Sequence, residues 1–244
     1  MKLIAKIIIK GKIKTLTGLH IGGSKSSMEI GGVDLNVIKT PGGVPYIPGS
    51  SLKGKLRSLL AREQGSIAIA KKDLNGDKGI TDEDCPSIKS LFGLAGDVSA
   101  NGNSSNNIIT ALYVRDAFLD EEHFKKEFTD KDINLELDYS DVKIENNIDR
   151  KRGTAIAPRH IERVPSGVKF DFELVYNLFE GAIEATHINE IKKAMRLLQM
   201  DYIGGHGSRG YGKITFEQGM EQVRMSMKDF ADGTEGTKTV FKLN

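Results

Sequence analysis

The sequence predicts an α+β fold on three observations: segments whose apolar residues alternate at period two, segments whose apolar residues recur at helical spacing, and the order in which the two follow one another. Residues 2–16 set Lys2, Lys6 and Lys10 against Leu3, Ala5, Ile7 and Ile9, the pattern of a half-buried strand. Short strands are predicted at 34–39 and 44–47 around the turn-forming Pro41-Gly42-Gly43, the second at a sheet edge because of Pro45. PGSSLKGKLRSLLARE (48–63) predicts a helix capped by Ser50 or Ser51, with Leu52, Leu56, Leu59 and Leu60 on one face and Lys53 and Arg57 on another.

Residues 65–107, rich in Gly, Asp, Asn and Ser, are expected to be mostly loop, with a short helix at 87–93. A single strand is expected over 108–119 and an inserted polar arm over 120–167. The alternation of Phe170, Phe172, Leu174 and Tyr176 gives a strand at 169–177. Ile188, Ile191, Met195 and Leu198 form a helical stripe that Gly204 would cap. A closing strand at 211–216 and a polar tail from 228 to 244 complete the chain. The resulting β-α-β-β-α-β order is the ferredoxin-like, RRM-type arrangement, read as one domain over 1–244 with insertions at about 65–107 and 120–167.

With 244 residues, 39% of them hydrophobic, the chain can bury a substantial core. No apolar run is long enough for a membrane span, and the alternating first residues do not resemble a signal peptide, so a cytoplasmic protein without a membrane partner is expected. One cysteine, Cys85, excludes an intrachain disulfide and a multi-cysteine zinc cluster. Net charge of +2 is too small to indicate nucleic-acid binding, but its distribution is uneven. Lys2 to Lys14 holds five lysines and no acid; Arg150 to Arg163 holds five Lys or Arg and one acid, Glu162; Arg115 to Asp149 holds twelve acids against five bases. Such segregation favours surface patches with different partners.

The stretch GGHGSRGYG (204–212) carries Gly205, Gly207 and Gly210 at G-x-G-x-x-G spacing. A dinucleotide site needs a strand before the glycines and a helix after them, and here the order is reversed. The glycines let backbone approach a polyanion and expose N–H groups, while Arg209 adds charge and Tyr211 a stacking surface. His206 suits either an RNA contact or packing.

TGLHIGG (17–23), IGGVD (30–34), YIPGSSLKGKLRS (46–58), VKIENNIDRKRGTA (142–155), RHIERVPSG (159–167) and GGHGSRGYGKI (204–214) together, in this order, resemble the RAMP superfamily of CRISPR proteins. Within it they are most similar to the Cas-seven backbone subunits of type III-A (Csm) effector complexes. That resemblance implies an RRM-like palm with a thumb-like hairpin near 135–167 and a subunit that forms a filament of its own copies along a guide (CRISPR) RNA. It also implies cleavage of complementary target RNA at regular intervals and association with other Csm subunits. Relatives often carry a zinc site after the first helix; with Cys85 alone, no structural zinc is expected here.

The resemblance places the target-cleaving carboxylate at Asp34. Such a group can hold a divalent cation, magnesium or manganese, or orient a ribose 2′-hydroxyl for in-line attack, and it would otherwise serve as an Asx turn. His20, among glycines, matches a guide-RNA position, with a structural histidine as the alternative. Ser50, Lys53, Lys55 and Arg57 would form a phosphate cradle at the first helix. Arg150, Lys151, Arg152, Arg159 and Arg163 would neutralise phosphates, with Ala155, Ile156 and Ala157 as an apolar wedge. Gly205, Gly207, Arg209, Gly210 and Tyr211 complete the expected RNA surface. Two other functions fit the same residues: a guide-RNA scaffold with no cutting role, and a metal-independent guide-processing ribonuclease acting through His20 or His206.

Overall fold

The computed structural model describes residues 2–23, 33–65, 86–93 and 109–243. Its centre is β1 (Leu3–Thr15), which buries Ala5, Ile7, Ile9 and Ile13 on one face as the alternation requires. β2 (Tyr46–Ile47) leads into α1 (Gly49–Glu63), whose Leu52, Leu56, Leu59 and Leu60 are buried. Ser50 and Ser51 lie inside this helix and do not cap it; the Gly49 N–H instead donates to Asp116 Oδ1 at 2.7 Å. α2 (Pro86–Phe92) realises the short expected helix, while most of 65–107, Cys85 included, falls outside the described residues.

The strand expected over 108–119 is two strands, β3 (Leu112–Val114) and β4 (Ala117–Leu119). The chain breaks at Arg115-Asp116, where Asp116 turns to meet the amino end of α1. The polar arm begins with α3 (Glu121–Phe124), capped by Asp120, and a π-helical turn at Lys125–Thr129. It continues as an antiparallel hairpin, β5 (Asp141–Ile148) with β6 (Ala155–Arg163). β7 (Lys169–Phe179) then runs antiparallel to β1 along almost its whole length. α4 (Glu184–Met200) buries Ile188, Ile191, Ala194, Met195 and Leu198 in the same core as α1.

β8 (Ile214–Phe216) pairs with one end of β1 and β9 (Glu221–Ser226) with its middle. The expected polar tail is folded: after α5 (Met227–Asp232), β10 (Thr237–Val240) pairs with β9, and Phe241 and Leu243 are buried. The main sheet runs β10-β9-β1-β7-β4-β2, with β3 also on β7 and β8 also on β1, and every pairing among these strands is antiparallel. The architecture is therefore mixed α/β around one large antiparallel sheet. None of its described helices is long and apolar enough to cross a membrane.

Candidate functional site

Asp34 begins an extended segment that docks on β6. Its backbone N–H donates to the His160 carbonyl at 3.0 Å, and its Oδ2 accepts the His160 backbone N–H at 2.7 Å. The His160 Nδ1 lies 3.6 Å from the same oxygen, with the two side chains 46% and 53% exposed. Leu35 forms a parallel bridge with Ile161, and its carbonyl accepts the Glu162 N–H at 3.0 Å. One carboxylate is thus held in a fixed direction at the root of the hairpin while it faces solvent. The preceding Gly31 and Gly32 lie outside the described residues.

Glu162, the lone acid of the basic stretch, is buried beneath this segment. Its Oε1 takes the Ser140 hydroxyl at 2.5 Å and Lys39 Nζ at 2.6 Å, while its Oε2 accepts the Val37 N–H at 3.0 Å. A buried carboxylate survives at this site because every contact is a charge-assisted hydrogen bond or an ion pair.

His20 is also buried, and its Nδ1 lies 2.7 Å from the Glu162 carbonyl oxygen. A carbonyl only accepts, so Nδ1 carries a proton. The His20 carbonyl accepts the Gly205 N–H at 2.8 Å. Gly204 does not cap α4, which ends at Met200; it has φ +82°, and a Cβ there would overlap the His20 carbonyl oxygen. The glycine stretch is pressed onto the His20 loop, and only a residue without a side chain permits that approach.

The open amides expected of this stretch are mostly spent. The Gly210 N–H donates to the Gly207 carbonyl and the Gly212 N–H to the Gly18 carbonyl, at 3.0 and 2.9 Å. A Cβ on Gly207 would strike the Tyr202 ring. His206 takes left-handed geometry (φ +59°) and packs its ring 5.5 Å from both His20 and Tyr211. Burial, and then the neighbouring His20, lower its pKa.

Tyr211 is 2% exposed, so it presents no open face on which a base could stack. Its hydroxyl donates to Glu145 Oε1 at 2.9 Å, with Lys143 Nζ 4.7 Å above its ring and Arg163 5.9 Å away. Burial, and next the bond to Glu145, push its pKa up to about 12. For Glu145, burial alone would raise the pKa, but Lys143, Tyr211 and Arg209 together outweigh it and hold the carboxyl below its usual range. Arg209 lies 3.8 Å from Glu145 and remains largely exposed. This cluster fastens the hairpin to the glycine stretch.

The expected cradle on α1 is already committed within the chain. Lys53 donates to Thr110 Oγ1 at 2.8 Å, and burial, then Arg57, lower its pKa. Lys55 pairs with Asp201 at 3.2 Å and sits 3.8 Å over the Tyr202 ring. Ser50 is exposed and Arg57 half-buried on the same helix. The cations expected at the hairpin tip are exposed. Asp149 organises the turn by accepting the Lys151 and Arg152 N–H groups, leaving Arg150, Arg152, Arg159 and the segment Ala155, Ile156 and Ala157 exposed.

The structure therefore gathers Asp34, His20, Arg163, Arg209, Tyr211 and the glycines around the hairpin root, and sets Ser50, Lys53, Lys55 and Arg57 on α1, where Lys55 reaches the Tyr202 ring that Gly207 packs against. His160, Glu145 and Glu162 were missed from sequence; a solitary acid among five cations was the available signal for Glu162. Among the described residues, no three His, Cys, Asp or Glu side chains are grouped to hold a metal ion.

The RAMP superfamily matches residues 12–215. The chain is 39% identical to the CRISPR system Cms endoribonuclease Csm3 of Methanocaldococcus jannaschii, over 98% of this chain and 88% of that protein. It is 42% identical to the protein of the same name from Enterococcus italicus, over 87% and 90% of the two. Among solved structures, the Csm3–Csm4 subcomplex of a type III-A CRISPR-Cas interference complex matches with a TM-score of 0.55 and 27% identity, covering 98% of this chain and 90% of that one. A type III-B Cmr-beta complex bound to cognate target RNA shares the fold, with a TM-score of 0.58 and 16% identity over 91% of this chain and 61% of that one.

Proposed function

The chain belongs to the RAMP superfamily, and from that premise we propose that it is the guide-RNA-binding backbone subunit of a type III-A CRISPR interference complex, an endoribonuclease that cuts complementary target RNA at regular intervals. One observation carries the site: a half-exposed carboxylate, Asp34, pinned by its own N–H and by Oδ2 to His160 at the root of a basic-tipped hairpin. The relatives, endoribonucleases by name, support the reaction class, and the Csm3–Csm4 subcomplex supports an interference complex with a Csm4-type partner. The order β8-β1-β7-β3 with α1 and α4 in the connections supports an RRM-like palm, and the β5–β6 hairpin supports a thumb.

In this reading the hairpin tip enters between paired strands, with Ala155, Ile156 and Ala157 as the wedge. Arg150, Arg152, Arg159, Arg163 and Arg209 neutralise phosphates, and pairing with the guide supplies sequence choice. His20, Gly205, Gly207, Gly210 and Tyr211 shape the floor beneath the guide backbone. Ser50 and Arg57 face the guide from α1, where Lys53 and Lys55 are engaged by Thr110 and Asp201. Repetition of the chain along the guide, in the cytoplasm, gives the cutting interval.

At each site the bound target is held with a ribose 2′-hydroxyl in line with the adjacent phosphorus. Attack forms the 2′-oxygen–phosphorus bond, the 5′-oxygen–phosphorus bond breaks, and the products are a 2′,3′-cyclic phosphate and a 5′-hydroxyl. Asp34 accepts from or orients the 2′-hydroxyl side, and β6 keeps its carboxylate from turning away. Asp34 is the residue that would hold a magnesium or manganese ion, and the ion would supply Lewis-acid charge to the reacting phosphate. The test is target cleavage by the guide-loaded assembly, wild type and Asp34→Ala, with and without a chelator. The proposal predicts loss of cutting in both the variant and the chelated sample with target still bound. Undiminished cutting in the variant would remove Asp34, and cutting that survives chelation would remove the metal.

A further inference from the structure

We propose that Glu162 is the positioning residue of the cleavage site: its buried carboxylate fixes the register of the segment bearing Asp34 against the hairpin. This rests on the reading of Asp34 as the cleaving group.

Five contacts converge on Glu162. Its side chain, 2% exposed, holds Lys39 and Val37 of the Asp34 segment and Ser140 at the start of the hairpin. Its N–H reaches Leu35, and its carbonyl accepts from His20 Nδ1. Asp34 itself is bound to His160, two residues back along β6. The segment is bonded on its other edge to residues 21–23, with the Ile38 N–H donating to the Ile21 carbonyl at 2.8 Å and the Gly23 N–H to the Asn36 carbonyl at 3.0 Å; its ties to β6 beyond Asp34 and Leu35 are the two bonds of Val37 and Lys39 to the Glu162 side chain. Without that side chain, the far end of the segment keeps its bridges from Val37 to Gly22 and from Lys39 to Pro45 but loses its tie to β6. Loss of the carboxylate strands the Val37 N–H in a buried site and leaves that end held by residues 21–23 but not by β6, so the segment's register against the hairpin shifts. Asp34 then moves relative to a target whose position is set elsewhere, by the guide and the hairpin.

The consequence separates rate from binding. Displacing a reacting group by about an ångström costs on the order of 10- to 100-fold in rate. Guide and target affinity, which depend on exposed cations and base pairing, do not depend on Glu162.

The experiment uses the guide-loaded assembly containing Glu162→Ala, Glu162→Gln, Lys39→Met or Asp34→Ala chains, and measures guide content, target affinity and single-turnover cleavage at saturating target. The expected result is a rate loss of about 10- to 100-fold in Glu162→Ala, with guide content and target affinity unchanged. Partial recovery is expected in Glu162→Gln, whose amide oxygen still accepts from Val37. A full cleavage rate in Glu162→Ala, or equal losses of guide, target and cutting in both Glu162 variants, overturns the proposal. If Glu162→Ala does not assemble, Lys39→Met decides: it must slow cutting at unchanged target affinity, and a full rate overturns the inference. Asp34→Ala run alongside distinguishes the two readings. Full activity there refutes the Asp34 assignment and Glu162 with it, whereas an inactive Asp34→Ala beside a fully active Glu162→Ala refutes Glu162 alone.

Discussion

Removing one oxygen, in Tyr211→Phe, isolates the contact that fastens the hairpin to the glycine stretch. The hydroxyl donates to the Glu145 carboxylate at 2.9 Å from a tyrosine that is 2% exposed. A hydrogen bond to a charged acceptor contributes about 1.5–3 kcal/mol. Glu145 keeps Lys143 at 3.0 Å and Arg209 at 3.8 Å, so it is not left stranded. The loss should therefore fall at the low end, about 1.5–2 kcal/mol, which lowers the melting temperature of a chain this size by about 3–8 °C. Thermal unfolding across pH adds a sign test. The folded-state pKa of Glu145 is depressed below its ordinary 4.5, so its stabilisation is present above that value and is lost as pH falls through the folded-state pKa. The gap between wild type and Tyr211→Phe should be constant near neutrality and narrow below pH 4.5. Identical melting temperatures at neutral pH, or a gap that widens in acid, would refute the reasoning.

Other outcomes follow from the same geometry. Gly204→Ala, which meets the His20 carbonyl at φ +82°, should destabilise by more than about 2 kcal/mol. Gly210→Ala, at φ +87° with nothing within 4 Å, should cost only the left-handed strain of about 1 kcal/mol; urea unfolding of both variants compares them. Arg152→Ala at the exposed tip should reduce the slope of log affinity against log salt for RNA by about one, whereas Lys55→Met, which breaks an internal pair with Asp201, should lower stability and leave that slope unchanged.

The parts legible in the sequence were those whose order is local. The alternation of β1 and β7, the leucine stripe of α1 and the stripe of α4 each declare themselves within one element. Asp34 and the basic arm each stand out as separate stretches, but their junction does not: Asp34 and His160 are 126 residues apart, and nothing in either stretch states that one docks on the other. The same holds for the strand broken at Asp116, whose carboxylate serves a helix 67 residues earlier. The C-terminal segment looks polar because β10 is an exposed edge strand, and only Phe241 and Leu243 betray its attachment. The glycine stretch has a second physical role that its sequence does not state. Glycine is needed wherever backbone approaches closely, and here the close partners are His20 and Tyr202, so the residues that suggested a polyanion serve first to pack the floor of the site.

The most direct measurement maps the ends of target-RNA products made by the guide-loaded assembly, with wild-type or Asp34→Ala chains at saturating target. The account predicts evenly spaced cuts, each leaving a 2′,3′-cyclic phosphate and a 5′-hydroxyl, and their disappearance in Asp34→Ala while target remains bound. The same ladder from both chains, with target bound equally, would contradict it.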